Sequence, residues 1–203
     1  MAIIEQPIWP TAIIIVARGI APGESCPIRS TLANGHNQNC QSIVPGKLDN
    51  TSIMPQSLSQ LYAHLIFSTK DRFPFLKDDI RERVHGYLAT ILRDMGSPFV
   101  VVGGVADHVH ILFDMGRIHA AKDFVEQIKR ESSKFIKTIH PNLDKFFWQR
   151  GYGIFSVSPT HREHVVAYIA SQEEHHRSKT FQEEYREFLN RYGIEFDEQY
   201  VWD

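Results

Sequence analysis

From residue 60 onward apolar positions recur with two periods, and the switches between them mark out the elements. Leu61 to Ser68 is a strand-length run of apolar and small polar residues. From Asp78 to Met95, the residues Ile80, Val84, Tyr87, Leu88, Ile91, Leu92 and Met95 fall three and four apart, which predicts an amphipathic helix, and Gly96 suits its stop. Phe99 to Gly104 reads as a second strand. Ala106-Asp107 links it to a third, His108 to Phe113, and so short a link predicts an antiparallel hairpin. Ile118 to Ile139 is a second helix with Phe124, Ile128, Phe135 and Ile139 as its buried stripe. Phe146 to Val157 reads as a strand region interrupted by Gly151 and Gly153. Ser158-Pro159 then opens a third helix that runs to about His176. A short helix, Phe181 to Tyr192, precedes an extended tail ending at Asp203. The first six elements follow the split βαβ order of ferredoxin-like folds, so the predicted class is α+β. An antiparallel sheet carries helices on one face, with the helix that bears Tyr168 added at the C-terminal side.

Composition changes sharply near residue 54. The segment 1–53 contains none of the 13 Phe or 7 Tyr and is rich in turn signals such as Ala21-Pro22-Gly23, Asn34-Gly35 and Pro45-Gly46. It has little apolar surface to offset the entropy of ordering, so it is expected to be disordered or a non-native extension, with Met54 an alternative start. Residues 54–203 are then a single domain of common size. The two cysteines, Cys26 and Cys40, set no disulfide framework. The run Ala12 to Ala17 is short and follows Glu5, which makes a poor signal peptide, and no stretch approaches the ~20 apolar residues that span a bilayer. The expected compartment is the cytoplasm. A net charge of −2 argues against a protein that coats DNA non-specifically, so a nucleic-acid role must rest on a local site.

The most informative segment is Asp107-His108-Val109-His110-Ile111-Leu112. Strand side chains alternate, so His108 and His110 share a face, where two imidazoles can bind one divalent metal and leave positions open. The other reading is a pair of half-buried histidines satisfied by hydrogen bonds. In the third helix Tyr168 and Gln172 lie four residues apart on one face, with His164 a turn earlier. A tyrosine can act as a nucleophile where a metal polarises a phosphate, and the Gln172 amide oxygen can complete the metal shell. Tyr168 also fits an amphipathic helix as a core residue beside Val165, Val166 and Ile169. A histidine-triad nucleotide hydrolase would need a further histidine at position 112, which is Leu112. A replication or mobilisation initiator is disfavoured by the short chain.

With these residues in this order the sequence resembles the small single-tyrosine transposases of the HUH superfamily (the IS200-like family), including the REP-associated tyrosine transposases. The resemblance spans roughly Gln60 to Arg177. It rests on Ala106-Asp107-His108-Val109-His110-Ile111-Leu112, on Trp148-Gln149-Arg150-Gly151-Tyr152 and on Tyr168-Ile169 with Gln172. Ala106 stands where the family usually has proline. The resemblance implies a ferredoxin-like homodimer with joined sheets and a Mg²⁺ or Mn²⁺ site from His108, His110 and Gln172. It further implies attack by Tyr168 on single-stranded, hairpin-ended DNA, giving a 5′-phosphotyrosine and a free 3′-hydroxyl. In the family the tyrosine helix can serve the partner's histidines. The alternative is a domesticated, non-cutting DNA-binding protein of the same fold. Expected DNA contacts are Lys129, Arg130 and Lys134 on the second helix, with Arg150 for a phosphate and Tyr152 for a base.

Overall fold

The computed structural model describes residues 58–202 and, as backbone, one earlier strand. That strand is β1 (Ile13–Val16). It is followed by β2 (Tyr62–Ser68), β3 (Phe99–Gly104), β4 (His108–Asp114) and β5 (Gly153–Val157). The sheet order is β1-β3-β4-β2-β5 and every pairing is antiparallel. Helix α1 (Asp78–Asp94) joins β2 to β3, and α2 (Ala121–Ile139) joins β4 to β5. Strands β2 to β5 with these two helices form the ferredoxin-like α+β unit that the periodicity predicts.

Alternation divides the strands between two cores. Leu65, Phe67, Val102, Val109, Ile111 and Phe113 point to one face, where they meet Val84, Leu88 and Leu92 of α1 and Phe124, Ile128 and Ile136 of α2. The opposite face carries Tyr62, Ile66, Val101, Leu112 and Phe155. It is covered by α3 (Arg162–Ala170), α4 (Gln172–His175) and α5 (Phe181–Arg191), through Ile169, Phe181, Tyr185 and Leu189. The helices of the split βαβ unit thus share one face, and the C-terminal helices form a second layer over the other.

Four local expectations change. Within 1–53, Ile13–Val16 pairs with β3 from Ile13↔Val102 to Val16↔Phe99, since four β-branched residues suit a strand. The rest of that segment, with Cys26, Cys40 and Met54, lies outside the described residues. The run 146–152 is irregular except for a Thr69–Trp148 bridge, and only Gly153–Val157 is strand. The third helix breaks at Ser171 (φ −96°, ψ 13°), so Tyr168 and Gln172 lie on separate helices. The C-terminal tail turns back rather than extending, with Trp202 Nε1 donating to Glu198 at 2.9 Å. Among the described residues no helix is long and apolar enough to cross a membrane.

Candidate metal centre and tyrosine cavity

The histidine pair is placed by strand register. Ile66 and Gly103 flank His110, and Ser68 flanks His108. Alternation turns both imidazoles to the C-terminal helix layer, together with His64 of β2. The hairpin before β4 is fixed from both sides. The Asp107 carbonyl accepts from Thr69 N at 2.7 Å, and the Ala106 carbonyl accepts from Leu76 N at 2.9 Å. Gly104, at φ +141°, holds a conformation that disfavours side chains, and a Cβ there would lie 2.3 Å from the His108 carbonyl oxygen.

Hydrogen bonds assign the ring protons. His108 Nδ1 donates to Asp107 Oδ1 at 2.7 Å, and His176 Nδ1 donates to the Lys179 carbonyl at 2.8 Å. His110 Nδ1 pairs with His64 Nε2 at 3.1 Å, and with the proton on His110 its Nε2 lone pair is free. All three Nε2 atoms then turn lone pairs inward, as metal-binding histidines do when the other nitrogen is hydrogen-bonded. They face further acceptors. Gln172 Oε1 lies 2.9 Å from His176 Nε2 and 3.5 Å from His108 Nε2. Glu184 Oε2 lies 3.2 Å from His176 Nε2 and 3.5 Å from His110 Nε2. The Gln172 amide group donates to Glu184 Oε1 at 3.2 Å and so keeps its own oxygen turned to the histidines.

The donor atoms of His108, His110, His176 and Glu184 lie within 4.8 Å of one another. His110 Nε2 and Glu184 Oε2 are buried without a hydrogen-bond partner. Lone pairs converging without a shared proton repel, and a cation between them relieves both the repulsion and the desolvation of the carboxylate. The residues present therefore fit a divalent metal. Burial holds the His110 imidazole well below its ordinary range, reinforced by His108, His176 and His175. Burial, then His108, pushes His176 down to about 4. Neutral imidazole is the form that ligates. Burial also pushes the Glu184 carboxyl up to about 7, against the opposing charge of His108. Asp107 moves the other way: burial opposes its charge, but the hydrogen bond and charge of His108 hold it below the usual carboxylate range.

Tyr168 stands beside this centre, half-buried. Its ring is edge-on to His110 at 5.7 Å, to His175 at 5.4 Å and to Phe188 at 5.9 Å. It opens on a cavity of about 450 Å³ that Glu184 and His164 also line. The position of α3 depends on Gly103, where a Cβ would lie 2.6 Å from both Cγ2 and the carbonyl oxygen of Ile169. A bare backbone on β3 lets the residue next to Tyr168 seat directly on the sheet. Arg81 of α1 ties the following helix down through Glu173 at 2.5 Å.

The structure thus brings His108, His110, Gln172 and Tyr168 of one chain together. It does not bring Lys129, Arg130 or Lys134 to them, because α2 lies on the opposite face. Lys129 Nζ donates to the carbonyls of Gln149, Arg150 and Gly151 at 3.0, 3.2 and 2.6 Å, and burial lowers its pKa to about 8. Arg130 and Lys134 are exposed and share Glu131. The Trp148 segment is an anchor: Trp148 Nε1 donates to Ser132 Oγ at 2.9 Å, and Gln149 Oε1 accepts from Ser68 N at 3.0 Å. Arg150 and Tyr152 are left exposed. Sequence reasoning missed His64, His175, His176 and Glu184 at the centre, and Lys179 and Arg191 in the cavity wall. Glu184 carried one signal, as an acidic residue between the apolar positions Phe181, Tyr185 and Leu189 on the buried stripe of α5.

The family described as "Transposase IS200 like" matches residues 57–172, more than half of the chain, and this protein belongs to that family of DNA transposases. A curated relative, the ISDra2 transposase TnpA of Deinococcus radiodurans, is 29% identical over 118 residues, covering 56% of this chain and 84% of that one. A solved candidate transposase from Deinococcus radiodurans aligns with TM-score 0.49 and 27% identity over 59% of this chain and 95% of its own. A REP-associated tyrosine transposase bound to a REP hairpin aligns with TM-score 0.46 and 13% identity, over 62% and 74% of the two chains.

Proposed function

We propose that this protein is a metal-dependent transposase that cleaves and rejoins single-stranded, hairpin-ended DNA through a 5′-phosphotyrosine at Tyr168. The observation that carries the reading is the placement of the Tyr168 ring against His110, in a cavity that reaches the convergent donors. His108, His110 and Gln172 would hold Mg²⁺ or Mn²⁺. Such an ion, when bound, offsets charge that accumulates on the non-bridging oxygens of the scissile phosphate.

The remaining work falls to the chain. His110, His175 and Phe188 pack edge-on against the Tyr168 ring and hold it in the cavity wall. His175 is held below its ordinary pKa mainly by burial, and its Nε2 has no hydrogen-bond partner, so it is suited to take the phenol proton. The phenol oxygen bonds to phosphorus, the bond from phosphorus to the 3′ oxygen breaks, and that oxygen leaves as a hydroxyl with a proton. Attack by a second 3′-hydroxyl reverses the step and frees Tyr168, so no external energy source is required. Lys179 and Arg191 in the cavity wall would meet flanking phosphates. Arg150 and Tyr152, on the loop organised by Lys129, would meet DNA further out, with Arg130 and Lys134 adding diffuse charge. Homodimer formation, which the family resemblance supports, is measured by light scattering.

The test is a covalent-adduct assay. The full chain is incubated with hairpin-ended single-stranded DNA from beside its own gene and with Mn²⁺. A protein–DNA species that survives denaturation is expected from wild type and absent from Tyr168→Phe. An adduct formed by Tyr168→Phe would remove the tyrosine from the role.

A further inference from the structure

We infer that His176 and Glu184 are metal ligands, supplied by a C-terminal segment that lies beyond the family match, and that they make this centre prefer a first-row transition-metal ion to Mg²⁺. The inference rests on the reading of His108 and His110 as metal ligands given above. The match ends at residue 172, so Gln172 is its last residue, and both further donors come after it. They arrive by separate routes. His176 follows α4, and the Lys179 carbonyl orients its ring. Glu184 sits in the first turn of α5, a helix whose Thr180–Glu183 capping box fixes its start and whose Phe181 and Tyr185 pack on the sheet.

Glu184 is 2% exposed, at the centre of a layer otherwise packed with aromatic rings. A carboxylate placed there costs stability unless a positive charge meets it. Among the described residues its ionic neighbours are the imidazoles of His110, His175 and His176 rather than a Lys or Arg. Its Oε2 faces the Nε2 atoms of His110 and His176 and has no hydrogen bond of its own. His176 turns its Nε2 to the same point while its Nδ1 proton is committed elsewhere.

The donor set determines the kind of ion. Three imidazole nitrogens with one carboxylate, beside the Gln172 amide oxygen, suit Mn²⁺, Co²⁺, Ni²⁺ or Zn²⁺. Mg²⁺ favours oxygen donors, keeps several waters and pays poorly for dehydration among nitrogens. A two-histidine site completed by an amide would discriminate far less.

The experiment measures metal binding on the full chain without DNA, by titration calorimetry and by loss of the free Mn²⁺ resonance signal. Wild type is expected to bind Mn²⁺ more tightly than Mg²⁺ by about tenfold or more. Glu184→Gln and His176→Asn should each weaken Mn²⁺ by about tenfold or more. Electron spin-echo modulation from nitrogen should report three coordinated imidazoles in wild type and one fewer in His176→Asn. Thermal denaturation guards against misfolding. Metal-free Glu184→Gln should melt no lower than wild type, because a buried charge has been removed, yet gain less on adding Mn²⁺. A merely structural Glu184 would show the reverse. The inference is overturned if both variants bind Mn²⁺ as wild type does while His108→Asn abolishes binding; the site proposed above would then stand without its C-terminal ligands. If wild type binds neither ion, both readings fall.

Discussion

Gly103→Ala tests whether the close seating of α3 on the sheet is what places Tyr168, the proposed nucleophile. The new Cβ would lie 2.6 Å from Ile169 Cγ2 and from the Ile169 carbonyl oxygen, about 0.8 Å inside ordinary contact at 3.4 Å. One of those atoms is backbone, so a rotamer change at Ile169 relieves only half of the conflict and α3 itself must lift. Overpacking of this kind costs about 1–3 kcal/mol. For a domain of this size that is a fall in melting temperature of about 3–9 °C. The effect on chemistry should be larger. Tyr168 adjoins Ile169 and would move with it, and a misplacement near 1 Å can cost about 100-fold in rate. The assay is single-turnover formation of the covalent adduct on hairpin-ended DNA, at a temperature where denaturation curves show the variant folded. The expected result is a rate down about 100-fold. A folded Gly103→Ala protein that forms adduct at the wild-type rate would refute the claim that the glycine sets the tyrosine.

Two further outcomes follow from buried groups. Asp107→Asn keeps an acceptor for His108 Nδ1 but removes the charge behind it, and should weaken Mn²⁺ binding by about tenfold with little change in metal-free stability; unchanged affinity in calorimetry would exclude Asp107 as the orienting partner. His85 in α1 is buried, its Nε2 has no hydrogen-bond partner, and burial with Arg81 nearby lowers its pKa from 6.5 to about 4. Above pH 6.5 the group is neutral folded and unfolded, so its full contribution is present. As pH falls to about 4 only the unfolded chain takes up the proton, and stability is lost by on the order of 3 kcal/mol. Urea unfolding of wild type and His85→Leu at pH 7 and pH 4 should show the variant losing less by about that amount, and parallel losses would refute the assignment.

The parts of the molecule legible in the sequence are those written in local periodicity. The boundaries of α1, β3 and β4 follow from runs of three-and-four or two-residue spacing, and the shared face of His108 and His110 follows from strand geometry alone. Tyr168 and Gln172 were legible as a pair, yet the break at Ser171 was not, because no proline or glycine marks it. The role of Lys129 was hidden because its carbonyl partners lie some 20 residues away on an irregular segment, and in the sequence it resembles any cation on a polar helix face. His64, His176 and Glu184 escaped for a similar reason. Each reaches the centre through tertiary packing, and the local signals that existed, the four-residue spacing from Gln172 to His176 and the acidic position of Glu184 on the buried stripe of α5, identify a ligand only once the fold brings them to His108 and His110.

β4 links the two halves of the molecule. Val109, Ile111 and Phe113 pin one side of the strand into the α1–α2 core, so its backbone cannot shift without opening that core. The intervening His108 and His110 inherit that rigidity on the other side, held further by Asp107 and His64. Tyr168, Gln172, His176 and Glu184 come instead from a layer of short helices seated on the sheet through the Gly103–Ile169 contact, the Arg81–Glu173 ion pair and the buried side chains of Ile169, Phe181, Tyr185 and Leu189. Under the proposed function, the core thus holds His108 and His110 while the helix layer holds Tyr168, so the seating of that layer on β3 sets the geometry between them.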